Sequence, residues 1–405
     1  MSFDTESATA SPLLAALGQN IRSIRAGDES AFIKLLAMSE GKDLIRLGRG
    51  EPDIPVPSHI AEAVKKAIDD GHTTYTPPQG LLPLREALAE KFRRDNDLDY
   101  DPDREIIVTA GAQESMVVTL QTLLDPGDEV IIAEPYYMAY EANIHMAGAV
   151  PVKVPTYEET GFELLPDAVA AAITDRTKLV VLVSPNNPTA GVLTRSTMEG
   201  LAEVIGENDL VAISDELYEK VVYDGFKPTS FATLPGMRDR TVTINGFSKA
   251  YSMTGFRVGY MAGPADYIRA ALEPRHSLSI CATTPSQYGA LAALEGPQDF
   301  FGEMMEEYSL RRAMMIEAFD ALGITYGPPL GGFYLFANIK ASGMSSFDFC
   351  AKALNDHGVL IFPGNMFGEG QGEGYIRISY LVDRADLAIA LDRLGDLWRS
   401  VTGSG

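Results

Sequence analysis

The fold is decided by the stretch TVTINGFSKAYSMTGFRVG, residues 241–259. Its first part, Thr241–Phe247, is typical of a β-strand that ends at a glycine turn. Lys249 follows this strand directly, and a second strand is predicted at Gly259–Pro264. Partial burial at such a turn would lower the pKa of a lysine and make its amine nucleophilic, although most lysines are solvated surface residues. The stretch therefore predicts a buried strand whose carboxyl end carries a candidate reactive lysine.

Five further β-rich runs precede this stretch: Glu105–Gly111, Glu129–Pro135, Ala149–Pro155, Leu179–Pro185 and Leu210–Glu216. Several of them are continuous rather than alternating, as expected for strands buried on both faces of a parallel sheet. Helical stretches such as Glu114–Leu124 and Thr197–Glu207 lie between the runs. This alternation predicts an α/β three-layer sandwich with a mostly parallel sheet of about seven strands. Such sheets bind ligands beyond the carboxyl ends of their strands.

The chain of 405 residues is longer than one core usually holds, so we expect more than one domain. Residues 301–322 have the periodicity of a long amphipathic helix. Strands are predicted at Gly332–Ile339 and Tyr375–Leu381, with a helix at Ser346–Asn355 between them. We predict a large domain at 51–300, a small α+β domain at 301–405, and an N-terminal segment, 1–50, that packs with the small domain.

Composition excludes several classes of protein. The net charge of −23 disfavours binding to nucleic acid and to anionic membranes, and no apolar run is long enough to span a bilayer. The two cysteines are too few for a disulfide framework, and the N-terminus lacks the pattern of a signal peptide, so we expect a cytoplasmic location. The five histidines are scattered, which argues against a metal site. A nicotinamide dehydrogenase is disfavoured because no G-x-G-x-x-G follows a strand.

Polar motifs follow several of the predicted strands. Ala110–Glu114 joins a strand to a helix through a glycine, which suits either an anion site or a plain turn. Ser184–Thr189 places two asparagines between prolines, and Asp215 closes an apolar strand, where an acid needs a cationic partner or caps the next helix. Arg257 lies eight residues after Lys249 and could clamp a phosphate.

Taken together, these motifs resemble the fold type I pyridoxal 5′-phosphate (PLP) enzymes, specifically the class I/II aminotransferases of the aspartate aminotransferase type. The lysine signature of that family is matched by Gly246, Ser248, Lys249, Gly255, Arg257 and Gly259. The resemblance covers nearly the whole chain. It implies the aspartate aminotransferase-like fold, with a large PLP-binding domain and a smaller α+β domain.

The resemblance implies roles for residues around the cofactor ring. Lys249 resembles the lysine that forms the Schiff base and shuttles the proton. Asp215 resembles the carboxylate that keeps the pyridine nitrogen protonated. Asn187 and Tyr218 resemble the pair that hydrogen-bonds the ring's 3′-oxygen. Tyr137, in preference to Tyr136, resembles the residue that stacks on the ring.

The resemblance also implies a phosphate site, a substrate site and a dimer. The phosphate cup is expected to contain Gly111, Ala112 and Gln113, with Arg257 as its cation, and Ser248 is expected to bind the cofactor. Arg377 resembles the arginine that binds the substrate α-carboxylate, and Gly50 belongs to a loop, 48–52, that resembles the loop covering the substrate. Tyr75 resembles the tyrosine that reaches the phosphate of the neighbouring subunit, which implies a homodimer with shared active sites.

The sequence departs from the family pattern at three places, Gln113, Ala190 and Gly246. Gln113 stands where aspartate-specific relatives place a lysine, which lowers the case for aspartate. Arg275 is a less favoured candidate for a second substrate carboxylate. The usual Asn-Pro-Thr-Gly reads Asn187–Gly191 with Ala190 inserted, so we expect a slightly different turn. Gly246 replaces a phosphate-binding serine of many relatives.

The function implied is PLP-dependent transamination. We expect an amino group to move from an L-amino acid, neutral or aromatic, to a 2-oxo acid such as 2-oxoglutarate or pyruvate by a ping-pong mechanism. The alternative is a PLP-dependent lyase or decarboxylase, because PLP makes all three bonds at Cα labile and the protein selects among them.

Overall fold

Strands and helices alternate along the computed structural model, which describes residues 31–403. The strands are β1 (Ile45–Arg46), β2 (Ile106–Thr109), β3 (Glu129–Glu134), β4 (Val150–Pro155), β5 (Thr177–Val183), β6 (Val211–Asp215), β7 (Thr241–Gly246), β8 (Gly259–Ala262), β9 (Tyr334–Asn338), β10 (Val359–Leu360), β11 (Phe362–Pro363) and β12 (Tyr375–Ser379). The α-helices are α1 (Ala31–Ser39), α2 (Ser58–Asp69), α3 (Leu82–Asn96), α4 (Ala112–Leu123), α5 (Ala139–Met146), α6 (Pro166–Ala172), α7 (Arg195–Glu207), α8 (Ala265–Ser279), α9 (Thr284–Glu295), α10 (Phe300–Ala321), α11 (Ser346–His357) and α12 (Arg384–Thr402).

Seven of the strands form the central sheet, in the order β2-β8-β7-β6-β5-β3-β4. The pairs β3–β4, β3–β5, β5–β6 and β6–β7 are parallel, and β8 alone runs antiparallel to both of its neighbours. The predicted fold class, a mostly parallel seven-stranded sheet with helices, is confirmed.

Both faces of the sheet are buried, which explains the continuous apolar runs. Successive strand residues point to opposite faces. In β3, Val130 and Ile132 pack in one apolar cluster, and Ile131 packs in another on the opposite face. In β5, Val181 belongs to the first of these clusters and Val180 to the second. A strand covered on both sides needs apolar residues at every position.

The carboxyl ends of six strands meet at one edge of the sheet. The strands β3, β4, β5, β6 and β7 are parallel, and β2 shares their direction because β8 runs antiparallel to both β2 and β7. The segments that follow these strands therefore lie side by side, and they contain most of the predicted site residues.

A second apolar core involves the C-terminal third of the chain. The small sheet has the order β11-β12-β9, and β1 pairs with β10 in parallel. Leu35 and Leu47 are fully buried in this core beside residues of α10, β9 and α11. Residues 1–30 of the predicted N-terminal segment lie outside the described part, and the domain boundaries at 50 and 300 stay a prediction. Within 31–403, no helix is long and apolar enough to cross a membrane.

Candidate active site

A cavity of about 490 Å³ opens at the carboxyl edge of the central sheet. Its volume lies within the range of about 300–1,000 Å³ that is common for small-molecule sites. All of the predicted site residues except Gly111 and Tyr75 line it, namely Gly50, Ala112, Gln113, Tyr137, Asn187, Asp215, Tyr218, Ser248, Lys249, Arg257 and Arg377. The structure thus brings together residues that are more than 300 positions apart in the sequence.

Lys249 lies just beyond the end of β7, in the turn that follows Gly246. Its Nζ donates a hydrogen bond of 2.5 Å to the carbonyl oxygen of Gly50. Burial lowers the pKa of the Lys249 ammonium group, and the positive charges of Arg377 and Arg257 act in the same direction. These surroundings favour a neutral amine, the form that can act as a nucleophile or base.

Asp215 ends β6 at the floor of the cavity. Its Oδ2 accepts a hydrogen bond of 2.6 Å from the Tyr140 hydroxyl, and its Oδ1 accepts one of 3.2 Å from the backbone N–H of Leu217. Burial raises the pKa of Asp215, whereas these two hydrogen bonds and the charge of Lys249 oppose that rise. A cationic or N–H group placed in the cavity would stabilise the charged carboxylate further.

Arg377 lies on β12 with its guanidinium buried at the cavity wall. It donates to Asn187 Oδ1 at 2.9 Å and to the carbonyl oxygen of Gly48 at 2.7 Å. Its Nε is buried and has no acceptor among the described residues. Burial lowers the pKa of Arg377, but an arginine begins so high that it stays charged. A buried guanidinium held by neutral groups, with a free donor, suits a carboxylate ligand.

The segment 109–113 joins β2 to α4 and lies beside the guanidinium of Arg257. Gly111 has a φ of 89°, and a Cβ at this position would lie 2.6 Å from Arg257 Nη2, so only glycine fits there. The N–H groups of Ala112 and Gln113 begin the helix and have no helical acceptors. Helix N-terminal amides beside a guanidinium form a site for a phosphate or another anion.

Besides Tyr140, three tyrosines line the cavity, namely Tyr137, Tyr218 and Tyr334. The Tyr218 hydroxyl shares a hydrogen bond of 2.9 Å with the Tyr334 hydroxyl, and burial raises the pKa of Tyr218 well above its usual value. Tyr137 lines the cavity. Tyr136 instead donates its hydroxyl proton to Glu141, outside the lining residues. Of the two candidates for stacking on a ring, Tyr137 is therefore the one that reaches the cavity.

Sequence reasoning missed several residues of the lining. Tyr140 and Tyr334 contact Asp215 and Tyr218 directly, yet neither belongs to a motif that was singled out. The position of Tyr140, at the start of the helix after β3, is the only signal that could have indicated it. The other unpredicted lining residues are Met116, Val183, Leu217 and Thr254. Gly255 of the lysine signature and Glu51 of the predicted covering loop also line the cavity.

Two candidates lie away from the cavity of this chain. Arg275 is completely buried, donates to the carbonyl oxygens of Val108 and Ile280, and does not line the cavity, although its Nε has no acceptor among the described residues. The structure does not support the alternative that this side chain binds a substrate carboxylate. Tyr75 is not among the lining residues, and 76% of its surface is exposed.

The turn around Ala190 shows how the altered motif is accommodated. Ala190 has a φ of 59°, the left-handed conformation that glycine adopts more easily, at a cost of about 1 kcal/mol. Gly191 cannot be exchanged for a larger residue, because a Cβ there would contact the carbonyl oxygen of Gly161. Asn186 closes the turn by accepting from Ala190 N–H at 2.9 Å and donating to Gly191 at 2.8 Å.

Comparisons with known proteins agree with this geometry. The sequence matches the family "Aminotransferase class I and II" over residues 42–394. It is 40% identical to aromatic-amino-acid aminotransferase 2 of Thermococcus litoralis, covering 90% of this chain and 94% of the relative. It is also 40% identical to an aspartate aminotransferase of Pyrococcus abyssi, covering 91% and 96% respectively. The solved structure of an aromatic aminotransferase from Pyrococcus horikoshii superimposes with a TM-score of 0.86 at 39% identity, over 90% of this chain and 99% of that one.

The chain therefore belongs to the class I and II aminotransferase family, whose members are PLP enzymes. It is an amino acid aminotransferase. The alternative of a lyase or decarboxylase on the same fold is not favoured, because these relatives are named as aminotransferases.

Proposed function

We propose that the chain binds PLP in the 490 Å³ cavity and transfers an amino group from a neutral or aromatic L-amino acid to a 2-oxo acid such as 2-oxoglutarate or pyruvate, in ping-pong order. The observation that carries the proposal is the meeting of Lys249, Asp215, Arg257 and Arg377 around one cavity. An amine, a half-buried carboxylate and two separated guanidiniums match the aldehyde, the ring nitrogen, the phosphate and the substrate carboxylate of this chemistry.

The donors and acceptors of the cavity fit PLP. The helix N-terminus at Ala112 and Gln113, with Ser248 and Arg257, would hold the phosphate, and Asp215 would hold the pyridine nitrogen. The remaining contacts belong to residues along the ring: Asn187 and Tyr218 for the 3′-oxygen, and Tyr137 for the face. When bound, PLP supplies an aldehyde that condenses with amines and a ring that withdraws electrons from the substrate Cα.

The residues of the chain then have distinct tasks. Because the pKa of Lys249 is lowered, its Nζ can take the proton from the substrate Cα as a base. The protonated Nζ can then donate that proton as an acid. Arg377 binds the substrate α-carboxylate and fixes its orientation. The loop that carries Gly50 touches Lys249 and covers the site, which limits the access of water.

The charges of the cavity favour a substrate side chain without a carboxylate. Among the described lining residues the cations are Lys249, Arg257 and Arg377. Each of them has a task in the proposal, so none is left for a second carboxylate. Gln113 offers a neutral amide at the position where aspartate-specific relatives place a lysine. The names of the relatives include both kinds of substrate, since one is named for aromatic amino acids and another for aspartate.

We also propose a cytoplasmic homodimer with shared active sites. Tyr75 is 76% exposed, which is unusual for a large aromatic side chain and suits a residue that reaches into a neighbouring subunit. The domain division at 50 and 300 is part of the same proposal.

The absorption spectrum of the purified protein with PLP tests the proposed function. A yellow absorption band should form with the wild type and with Lys227→Ala, an exposed control, and should be absent in Lys249→Ala. A neutral or aromatic amino acid should convert the band to the pyridoxamine form, and a 2-oxo acid should restore it. Loss of the substrate to ammonia or carbon dioxide with the band unchanged would contradict transamination, and a normal band in Lys249→Ala would contradict the role of the lysine.

A further inference from the structure

Tyr334 lies where two parts of the candidate site meet. It begins β9 and pairs with Ser379 of β12, so it is a diagonal neighbour of Arg377 on the adjacent strand. Only 1% of its surface is exposed, and its hydroxyl lies 2.9 Å from the hydroxyl of Tyr218. Tyr218 follows β6 in the central sheet, so this hydrogen bond joins the large sheet to the small one.

The direction of the hydrogen bond follows from the number of protons available. A phenol has one proton to donate and can also accept. If Tyr218 donates its proton to the 3′-oxygen of PLP, as the proposed function requires, then the proton between the two tyrosines must come from Tyr334. A donor that is itself hydrogen-bonded in this way is polarised and donates more strongly.

The ring of Tyr334 makes a second and separate contact. Its centroid lies 4.6 Å from the Arg377 guanidinium carbon, within the range of a cation–π interaction. Gly50 lies against the Tyr334 hydroxyl so closely that a Cβ on Gly50 would contact the oxygen. Tyr334 therefore contacts the proposed cofactor donor, the proposed carboxylate-binding arginine and the covering loop.

We propose that Tyr334 is a positioning residue with two separable functions: its hydroxyl orients and polarises Tyr218 toward the cofactor, and its ring holds Arg377 for the substrate carboxylate. This inference rests on the proposed function. It assigns no direct contact with a reacting atom to Tyr334.

The chain contains a matched control in the same core. Tyr223 and Tyr380 form a second pair of buried tyrosines with hydroxyls 2.9 Å apart, and neither lines the cavity. Tyr223→Phe removes a hydroxyl from this pair as Tyr334→Phe removes one from the other. A purely structural role for Tyr334 would give the two variants the same phenotype.

The test compares Tyr334→Phe, Tyr334→Leu and Tyr223→Phe with the wild type, all reconstituted with PLP. In Tyr334→Phe, the weaker donor to the 3′-oxygen should raise the pKa that governs the visible absorption of bound PLP by about 0.7, and PLP should bind about fivefold more weakly. The KM for the amino acid should change less than twofold, because the ring is retained. Tyr334→Leu should also raise that KM about fivefold, through loss of the cation–π contact.

Tyr223→Phe should leave both the absorption titration and the KM unchanged, and its melting temperature reports the cost of losing a buried hydroxyl. The inference is overturned if Tyr334→Phe titrates like Tyr223→Phe, or if Tyr334→Phe and Tyr334→Leu have the same KM. A wild type that forms no absorption band with PLP would instead overturn the proposed function, so the two failures are distinguishable.

Discussion

Asp215 and Glu216 are adjacent carboxylates that the chain turns to opposite sides of one strand end. Asp215 faces the cavity of about 490 Å³, with one oxygen held by Tyr140 and the other by a backbone N–H. Glu216 faces the protein interior and is 5% exposed. Burial raises the pKa of both side chains. The same chemical group thus occurs in two settings within a single dipeptide.

The two carboxylates differ in whether any part of them is left free to bind a ligand. Glu216 accepts from the Ser214 hydroxyl at 2.9 Å and from the Ser230 hydroxyl at 2.7 Å, with a further 3.3 Å contact from the N–H of Phe231. Protein donors enclose it completely, so it anchors the loop. Asp215 has fewer donors and an open side toward the cavity, so it can hold a ligand. Burial alone does not distinguish a carboxylate held entirely by the protein from one that can bind a ligand, whereas the open side toward the cavity does.

Two later residues of the segment 215–219 also face opposite sides, one the cavity and the other the protein interior. Tyr218 lines the large cavity, whereas Glu219 forms a buried ion pair with Lys91 and accepts from Asn96 at 2.7 Å. The space on the side of Glu219 is a cavity of only about 10 Å³, enough for about one water. One face of the segment 215–219 is therefore fixed by interior contacts, and these hold the other face in place.

The largest difference is expected between Asp215→Asn and Glu216→Gln in steady-state kinetics. Asp215→Asn removes a charge that faces the cavity, and kcat should fall about a thousandfold, the scale seen when an electrostatic group is removed from a site. Glu216→Gln retains a side chain that can accept from the serines, so kcat should fall less than threefold. If both variants lose kcat equally while their melting temperatures match that of the wild type, the proposed difference between Asp215 and Glu216 is wrong.

The second prediction concerns the pH dependence of the free energy of unfolding, to which Glu216 should contribute more than Asp215. Burial and the charge of Glu219 raise the pKa of Glu216 from 4.5 to about 7. The folded state therefore holds this proton more tightly than the unfolded state, so the stabilisation is complete below about pH 4.5 and is lost as the pH rises through 7. The free energy of unfolding of the wild type, relative to Glu216→Gln, should fall by about 3 kcal/mol over this range.

Urea unfolding at pH 5 and at pH 8 measures this change. The exposed side chain of Glu203 provides the control, and Glu203→Gln should keep the pH dependence of the wild type. If Glu216→Gln loses as much stability between the two pH values as the wild type does, then Glu216 does not titrate in this range.

Local patterns in the sequence were sufficient to predict the sheet and some strand ends, whereas most of the cavity lining was predicted from the resemblance to the class I/II aminotransferases. Strand ends such as Asp215 and turns such as Gly246–Lys249 lie at the carboxyl edge once the strands are parallel. Residues after different strands then meet without any information on packing. The seven-stranded sheet and the position of Lys249 beyond β7 follow in this way.

Tyr140 and Tyr334 could not be predicted in the same way. Each lies on a helix or strand with other aromatic residues nearby, and only the packing of two separate parts of the chain decides which ring faces the cavity. The opposite directions of Asp215 and Glu216 depend likewise on Ser230, fourteen positions further along the chain. Contacts of this kind depend on tertiary structure, for which a single sequence has no local signal.

The smallest predicted effect comes from the hydrogen bonds that support each carboxylate. Tyr140→Phe removes the 2.6 Å hydrogen bond to Asp215 but keeps the ring against Tyr137, so kcat should fall about tenfold, as expected for a hydrogen bond to a charged group. Without this donor the pKa of Asp215 should rise, and activity should be lost at a higher pH on the acid side. Ser230→Ala removes a donor from Glu216 instead, so it should lower the melting temperature and leave the pH profile of kcat unchanged. If Ser230→Ala shifts that profile as Tyr140→Phe does, the two faces of the loop are coupled, and the interior carboxylate contributes to the chemistry of the cavity.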